Sequence, residues 1–305
     1  MAGKKFNHRL FWTNLVVLAV LVVITALIEI FAQPQKITFF CNDISIGYPY
    51  RDSTVGVVQL FSLIFGIPLL TFIVVELLII KLGTEDVSIC YQGATILCLF
   101  VNLFFGATLS GILVESAKFI FGRLRPNFLD VCRPDFSQID CGTAIKPRPV
   151  IEYECLGNPD LVERGLQHKM ERGAYLSFFS GHAILSFYTL VHTALYLQAR
   201  FDKGSKSRAN IVVPSAQILM VAVAIYISGS RLLDNKHHLS DIFIGAVLGI
   251  FLAVWNVRYV LKLFDTEAWK PLPTFYHDYP PDSETESLLL REGRSKNYRS
   301  IDQNY

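Results

Sequence analysis

Apolar residues in this chain come in blocks, several of them about 20 residues long with few or no charges, the length a helix needs to cross a bilayer's hydrocarbon core. The pattern predicts an all-α, polytopic membrane protein with six transmembrane helices, at 11–31, 57–80, 95–114, 175–197, 211–227 and 242–260. Because irregular backbone cannot stop in hydrocarbon, an even number of spans puts both termini on one side. Lys4, Lys5 and Arg9 precede the first span, and Arg200, Lys203, Lys206 and Arg208 sit between the fourth and fifth. That basic bias puts the termini in the cytoplasm, and it leaves the long loop after the third span and the shorter one after the fifth outside.

Composition agrees with this picture. Of 305 residues 52% are hydrophobic and only 18% charged, unlike an ordinary soluble domain. A net charge of +2, without basic clusters interleaved with aromatics, excludes nucleic acid as a partner. The apolar run after the basic N-terminus is too long for a signal-peptide core and reads as a retained helix. Residues 1–270 form the membrane domain. Residues 271–305, rich in Pro, Ser, Glu and Arg, read as a disordered cytoplasmic tail. Its Glu286–Leu290 stretch is either a sorting signal or a chance cluster. Of six cysteines, Cys41, Cys132, Cys141 and Cys155 fall in two polar loops on one side, where two disulfides would form in an oxidising compartment. Three pairings are open.

Three polar clusters carry the candidate chemistry. Lys118 and Arg125 are seven apart, close to two helical turns, so both cations share a face if the third helix continues to Pro126. Arg123 points elsewhere and reads as an interfacial basic residue. Ser180, Gly181 and His182 stand near the outer start of the fourth span, where backbone N–H groups at a helix N-terminus suit an anion. His192, deeper in that span, reads as a hydrogen-bonded interfacial residue. In the third cluster, which begins at Ser230 and Arg231, His237 and Asp241 are four apart. On a helix, Asp241 would accept one imidazole N–H and leave the other nitrogen free as nucleophile or base. His238, about 100° further round, falls outside this constellation.

The alternation of spans brings all three clusters to one membrane face, and converging polar groups at a membrane read as functional. Lys118, Arg125 and Arg231, with the N–H groups around Ser180 and Gly181, suit a tetrahedral dianion and its transition state. A divalent metal on His182, His237 and Asp241 is the competing reading. Three nearby cations would repel it, and no second carboxylate is evident. Two histidines then suffice for chemistry, one attacking phosphorus and the other protonating the leaving oxygen. A neutral nucleophile and a protonated acid together predict a bell-shaped dependence on pH.

With these residues in place, the sequence resembles the animal lipid phosphate phosphatases of the type 2 phosphatidate phosphatase superfamily. The family pattern of Lys, six residues, Arg-Pro matches Lys118 to Pro126. Ser-Gly-His matches Ser180 to His182, and Ser-Arg, five residues, His, three residues, Asp matches Ser230 to Asp241. The likeness extends to residues 40–50 and 122–132 and covers nearly all of the chain except the tail. It implies that His237 forms a phosphohistidine and that Asp241 orients it. It gives His182 the roles of acid and then base, and Lys118, Arg125, Arg231, Ser180 and Gly181 the phosphate oxygens. Implied substrates are phosphatidate, lysophosphatidate, sphingosine 1-phosphate and ceramide 1-phosphate, cleaved without magnesium or another cofactor. Implied too are homo-oligomers and residence at the plasma membrane with an endomembrane pool. Phe179 stands where many microbial relatives have Pro, which fits the animal branch, and there is no Asn-x-Ser/Thr sequon for glycosylation. Two other readings compete: a phosphatase for a soluble ester such as a sugar phosphate, and an adhesion, signalling or anion-transport protein. The non-catalytic matches weigh against the first and the intact signatures against the second.

Overall fold

A computed structural model describes residues 4–6, 8–82, 89–143, 146–202, 211–265 and 276–278. Six long helices dominate it: α1 (His8–Phe31), α2 (Val57–Leu82), α3 (Ile89–Phe121), α7 (Gly181–Asp202), α8 (Val212–Leu233) and α9 (Leu239–Trp255), the last extended by a π-helical turn, Asn256–Val260. Three short helices, α4 (Phe128–Cys132), α5 (Pro159–Glu163) and α6 (Gln167–Ala174), lie in the connection from α3 to α7. Near the two termini, strand β1 (Lys4–Phe6) pairs antiparallel with β4 (Tyr276–Asp278). Apart from β4, the expected tail and its Glu286–Leu290 cluster lie outside the described residues.

Among the described residues, five helices are long and apolar enough to cross a membrane: Phe11–Phe31, Val57–Leu78, Gly93–Phe121, Val212–Leu233 and Leu239–Val260. The remaining one, α7, matches them in length but not in apolarity, and its position explains why. Packed against α2, α3, α8 and α9, it buries Ser186, Tyr188, Thr189, His192, Thr193 and Tyr196 completely. A helix facing protein on all sides has no lipid-facing surface to keep apolar. Contact with α9 is close because Gly245 and Gly249 face α7; a Cβ on Gly249 would lie 2.5 Å from the Ile184 carbonyl. Small residues four apart let two helix backbones approach without a side chain between them.

At one end of the bundle the connections α1–α2 and α3–α7 fold into a cap with its own core, including Phe39, Phe128, Val131, Tyr153, Leu161 and Tyr175. A short antiparallel pair, β2 (Phe39–Phe40) with β3 (Pro149–Val150), ties the two connections together. Of the three disulfide pairings left open by the sequence, the structure has Cys41–Cys141 and Cys132–Cys155.

Candidate active site

Where the cap meets the bundle, a cavity of about 490 Å³ opens. Lys118, Arg125, Gly181, His182, Arg231 and His237 all line it. The three clusters, spread over more than 120 residues of sequence, therefore converge.

The local structures that achieve this differ from the sequence expectation in several places. Helix α3 does not run on to Pro126. It ends at Phe121, and Gly122, at φ +54°, turns the chain through a conformation that glycine adopts freely. Lys118 occupies the last helical turn, whereas Arg125 reaches the cavity from an extended segment docked on the start of the cap, its N–H donating to the Ala174 carbonyl at 2.8 Å. Turn geometry brings the two cations together, and helical periodicity does not.

His237 also lies outside a helix, because α9 begins at Leu239. Its Nδ1 stands 2.7 Å from the Ser177 carbonyl oxygen, which can only accept. Nδ1 therefore carries the proton, and Nε2 keeps the lone pair. The Asp241 carboxylate is 3.9 Å from Nδ1, too long for a hydrogen bond, so the expected direct Asp241–His237 bond is replaced by one to backbone. Asp241 is instead the hub of a buried network. It accepts from the Ser177 hydroxyl at 2.7 Å, from the His238 backbone N–H at 3.0 Å and from Arg123 at 2.6 Å. Fully buried and third in its helix, it closes the N-terminus of α9 and fixes the segment whose carbonyl holds His237. Arg123, expected at an interface, is thus part of the site's support, and it also donates to Ser240 at 2.8 Å.

Ser180 immediately precedes α7, so the first free N–H groups of that helix are those of Gly181 and His182. The Ser180 hydroxyl is buried without a hydrogen-bond partner among the described residues. Its backbone N–H donates to the Asp241 carbonyl at 3.1 Å, which locks the start of α7 to the start of α9. His182 places Nε2 3.1 Å from the Val55 carbonyl, so that nitrogen is the protonated one and Nδ1 is left for other partners. Arg231 pairs with Asp234 and donates to Ser53 at 3.2 Å. Asp234 in turn accepts from the Thr54 N–H and hydroxyl at 2.9 and 2.6 Å. Lys118 pairs with Glu115 at 2.7 Å.

Burial lowers the pKa of His237 to about 4; Asp241 opposes the shift, and the cations Arg125 and Lys118 add to it. The imidazole is neutral at neutral pH, as a nucleophile must be. In the alternative metal reading His182 Nδ1 and His237 Nε2 could still ligate, but both Asp241 oxygens accept from the chain's own donors, and among the described residues no group of three or more His, Cys, Asp or Glu side chains is placed to hold a metal ion. His238, bonded through Nε2 to the Leu124 carbonyl at 3.0 Å, stands apart from the cavity as expected. His192 departs from expectation. It is fully buried inside the bundle and not at an interface, with the Asn256 side chain as a polar neighbour.

Sequence reasoning gave the segment 50–55 no role, and only Tyr50 fell within a stretch that resembles the family. Tyr50 and Ser53 line the cavity, and Ser53, Thr54 and Val55 hold Arg231, Asp234 and His182, yet they form no spaced motif that could flag them.

The family model described as PAP2 superfamily matches residues 99–265. Phospholipid phosphatase 1 of Rattus norvegicus is 37% identical over 230 residues, which is 74% of this chain and 76% of that protein. Phospholipid phosphatase 2 of Mus musculus is 33% identical over 85% of this chain and 88% of its own. A Caenorhabditis elegans phospholipid phosphatase homolog 1.2 homolog is 34% identical over 94% of this chain and 79% of its own. No solved structure matches.

Proposed function

The chain belongs to the PAP2 superfamily as a phosphoric monoester hydrolase of the lipid phosphate phosphatase type, and from that premise we propose a two-histidine mechanism acting on lipids at the outer membrane face. The observation that carries it is the pairing in one cationic cavity of His237, its Nδ1 proton pinned by a carbonyl, with His182.

In the first step the Nε2 lone pair of His237 attacks phosphorus and the bond from phosphorus to the lipid oxygen breaks. His182, entering as an imidazolium whose Nε2–H stays on the Val55 carbonyl, delivers its Nδ1 proton to the departing alkoxide. In the second step His182 takes a proton from water, which attacks the phosphohistidine; the N–P bond breaks and inorganic phosphate leaves. Lys118, Arg125 and Arg231, with the Gly181 N–H and the unpartnered Ser180 hydroxyl, stabilise the charge on the equatorial oxygens. Asp241 holds the frame. No step requires a metal or cofactor.

Phosphatidate, lysophosphatidate, sphingosine 1-phosphate and ceramide 1-phosphate are the substrates we expect. A lipid fits better than a soluble ester because a second, apolar cavity of about 590 Å³, lined by Val22, Phe61, Phe65, Phe104 and Leu185 among others, shares Glu29, Val57 and Glu115 with the polar one. An acyl chain has a place beside the phosphate site. For topology we propose six spans, α7 being the fourth. The two disulfides of the cap favour an oxidising, outward side, with termini in the cytoplasm and residence at the plasma membrane plus an endomembrane pool. Homo-oligomers are expected from the family alone.

The test is phosphate release from phosphatidate and sphingosine 1-phosphate in mixed micelles with excess chelator. Turnover should persist, and His237→Ala should lower it by roughly 10⁴-fold or more. Dependence on added metal, or an active His237→Ala, would overturn the mechanism.

A further inference from the structure

Lys236 belongs to none of the three family patterns, in which it is merely one of five unspecified residues between Arg231 and His237. In the structure it lines the same cavity as both histidines and is only 4% exposed. Burying an ammonium is costly unless something compensates it. Among the described residues no carboxylate lies within ion-pair distance of its Nζ, and what it has instead is a ring: Nζ stands 3.7 Å from the centroid of Tyr50. A desolvated cation–π contact offsets part of the cost. Tyr50 is itself held firmly, its N–H donating to Asp130 at 2.8 Å and its hydroxyl to Asp52 at 3.2 Å.

The charges around the cavity can be paired off. Lys118 is matched by Glu115, Arg172 by Glu29 and Arg231 by Asp234. Lys169 is in solvent. Two cations that face the cavity remain without a carboxylate among the described residues, Arg125 and Lys236, and the Arg125 Nε has no hydrogen-bond partner there. A phosphate monoester at neutral pH carries close to two negative charges. With Lys236 protonated, the site's two unmatched positive charges complement the phosphate dianion.

We propose that Lys236 is a fourth phosphate-binding cation, which together with Arg125 supplies the two uncompensated positive charges that select a phosphate dianion, and that Tyr50 is the positioning residue that keeps its ammonium in the cavity. This rests on the phosphatase reading above. It also makes affinity sensitive to pH. Burial, and after it Arg125 and Arg231, pull the Lys236 pKa down to about 7, while Asp234 and Asp52 oppose them. Those four groups and the Tyr50 ring from the α1–α2 connection act on it most strongly, and the other titratable groups that share its cavity are Lys118, His168, Lys169, Arg172, His182, His237, Glu29 and Glu115. In the empty enzyme, raising the pH through that value removes a charge the substrate needs, so KM rises on the alkaline side.

The test compares full-length wild type with Lys236→Met, Lys236→Arg, Tyr50→Phe and Tyr50→Leu on lysophosphatidate in mixed micelles between pH 6 and 9. Lys236→Met should raise KM about ten- to a hundredfold at pH 7 and change kcat much less. Lys236→Arg should restore KM and abolish its alkaline rise, because guanidinium does not titrate there. Tyr50→Phe, which keeps the ring, should leave the alkaline rise near its wild-type pH, and Tyr50→Leu should move the rise to lower pH. Ionisation of the substrate is common to all variants and cancels. An unchanged KM in Lys236→Met, or an alkaline rise that persists in Lys236→Arg, would overturn the proposal. As a second measurement, protection against thermal unfolding by inorganic phosphate at pH 6.5 should be present in wild type and lost in Lys236→Met, and it needs no turnover. Wild type that fails to turn over any lipid but keeps this phosphate-dependent difference would therefore refute the substrate reading and leave the Lys236 site standing.

Discussion

Asp241 shows why spacing can identify a residue correctly and still misstate its contacts. An interval of four suggests a helical pair, yet His237 sits two residues before the helix begins, and its N–H goes to the Ser177 carbonyl. Asp241 acts one step back, through Ser177, the His238 N–H and Arg123. Removing Arg123 leaves a buried carboxylate with one partner fewer, although part of the arginine reaches solvent and screening softens the loss. Arg123→Gln should lower kcat roughly tenfold, leave KM nearly unchanged and lower the melting temperature; an unaltered kcat would remove Arg123 from the supporting network. His237 gives a prediction in pH. With its folded pKa pulled below the ordinary 6.5 to about 4, the unfolded chain binds a proton first as pH falls. Its contribution to stability is complete above 6.5 and is lost on the way down to 4. The nucleophile stays neutral over the same range, so the rate of phosphoenzyme formation should keep its acid limb near pH 4 to 5. A limb centred at 6.5 would mean a solvated, ordinary imidazole. The motif residues were legible because each stands at a fixed interval from a partner. Tyr50, Ser53, Val55, Arg123 and Lys236 were not, because their neighbours come from other segments and only the folded chain brings them together.

At the scale of elements, five helices were legible as apolar blocks because lipid demands an apolar surface wherever it touches them. Helix α7 is the instructive case. The expected span, 175–197, runs ahead of the helix observed, Gly181–Asp202. Its start is displaced because residues 175–180 are a non-helical turn and bend that feed carbonyls and N–H groups to the site. Its polar residues face other helices, so hydropathy alone understates it. What positions α7 is its contact with α9 at Gly245 and Gly249. A Cβ on Gly245 would lie 2.8 Å from the Ser180 carbonyl, at the point where the proposed phosphate-binding segment meets the helix. Gly245→Ala should push the Ser180–His182 turn away from Asp241 and lower kcat. Gly249→Ala, one turn deeper, should cost about 1–3 kcal/mol of stability with a smaller effect on turnover. Gly66 in α2 has nothing within 4 Å of the position its Cβ would take, so Gly66→Ala should be neutral or slightly stabilising. Thermal unfolding and kinetics of the three variants separate packing from propensity. Equal damage from all three would show that the close approach is not what matters.

At the scale of the whole molecule, the cap and the bundle are two cores joined at the active site, and each contributes chemistry. The bundle supplies Lys118, His182 and Arg231; the connections supply Arg125, Tyr50, Ser53 and His237. Sequence placed the four loop cysteines on one side but left their pairing open, because intervals along a chain do not say which loops meet in space. The structure makes the two bonds unequal. Cys41–Cys141 closes a separation of 100 residues between the two connections, whereas Cys132–Cys155 closes 23 within one of them, with Cys132 fully buried. In a chain-entropy picture the longer loop constrains the unfolded cap more, by a margin of about 1–2 kcal/mol. The first bond also ties Tyr50's connection to the segment that leads to the α6 rim, so losing it should loosen the wall that holds Lys236 and His182. A membrane-impermeant phosphine applied outside intact cells, followed by a thiol-reactive mass tag, tests orientation and inequality together. Cys41 and Cys141 should label first, KM should rise as they do, and Cys132 and Cys155 should follow only after partial unfolding. The same reagent confined to the inside of sealed vesicles should do nothing. Labelling from the inside would reverse the proposed topology, and simultaneous labelling of all four cysteines would mean that the cap opens as one unit.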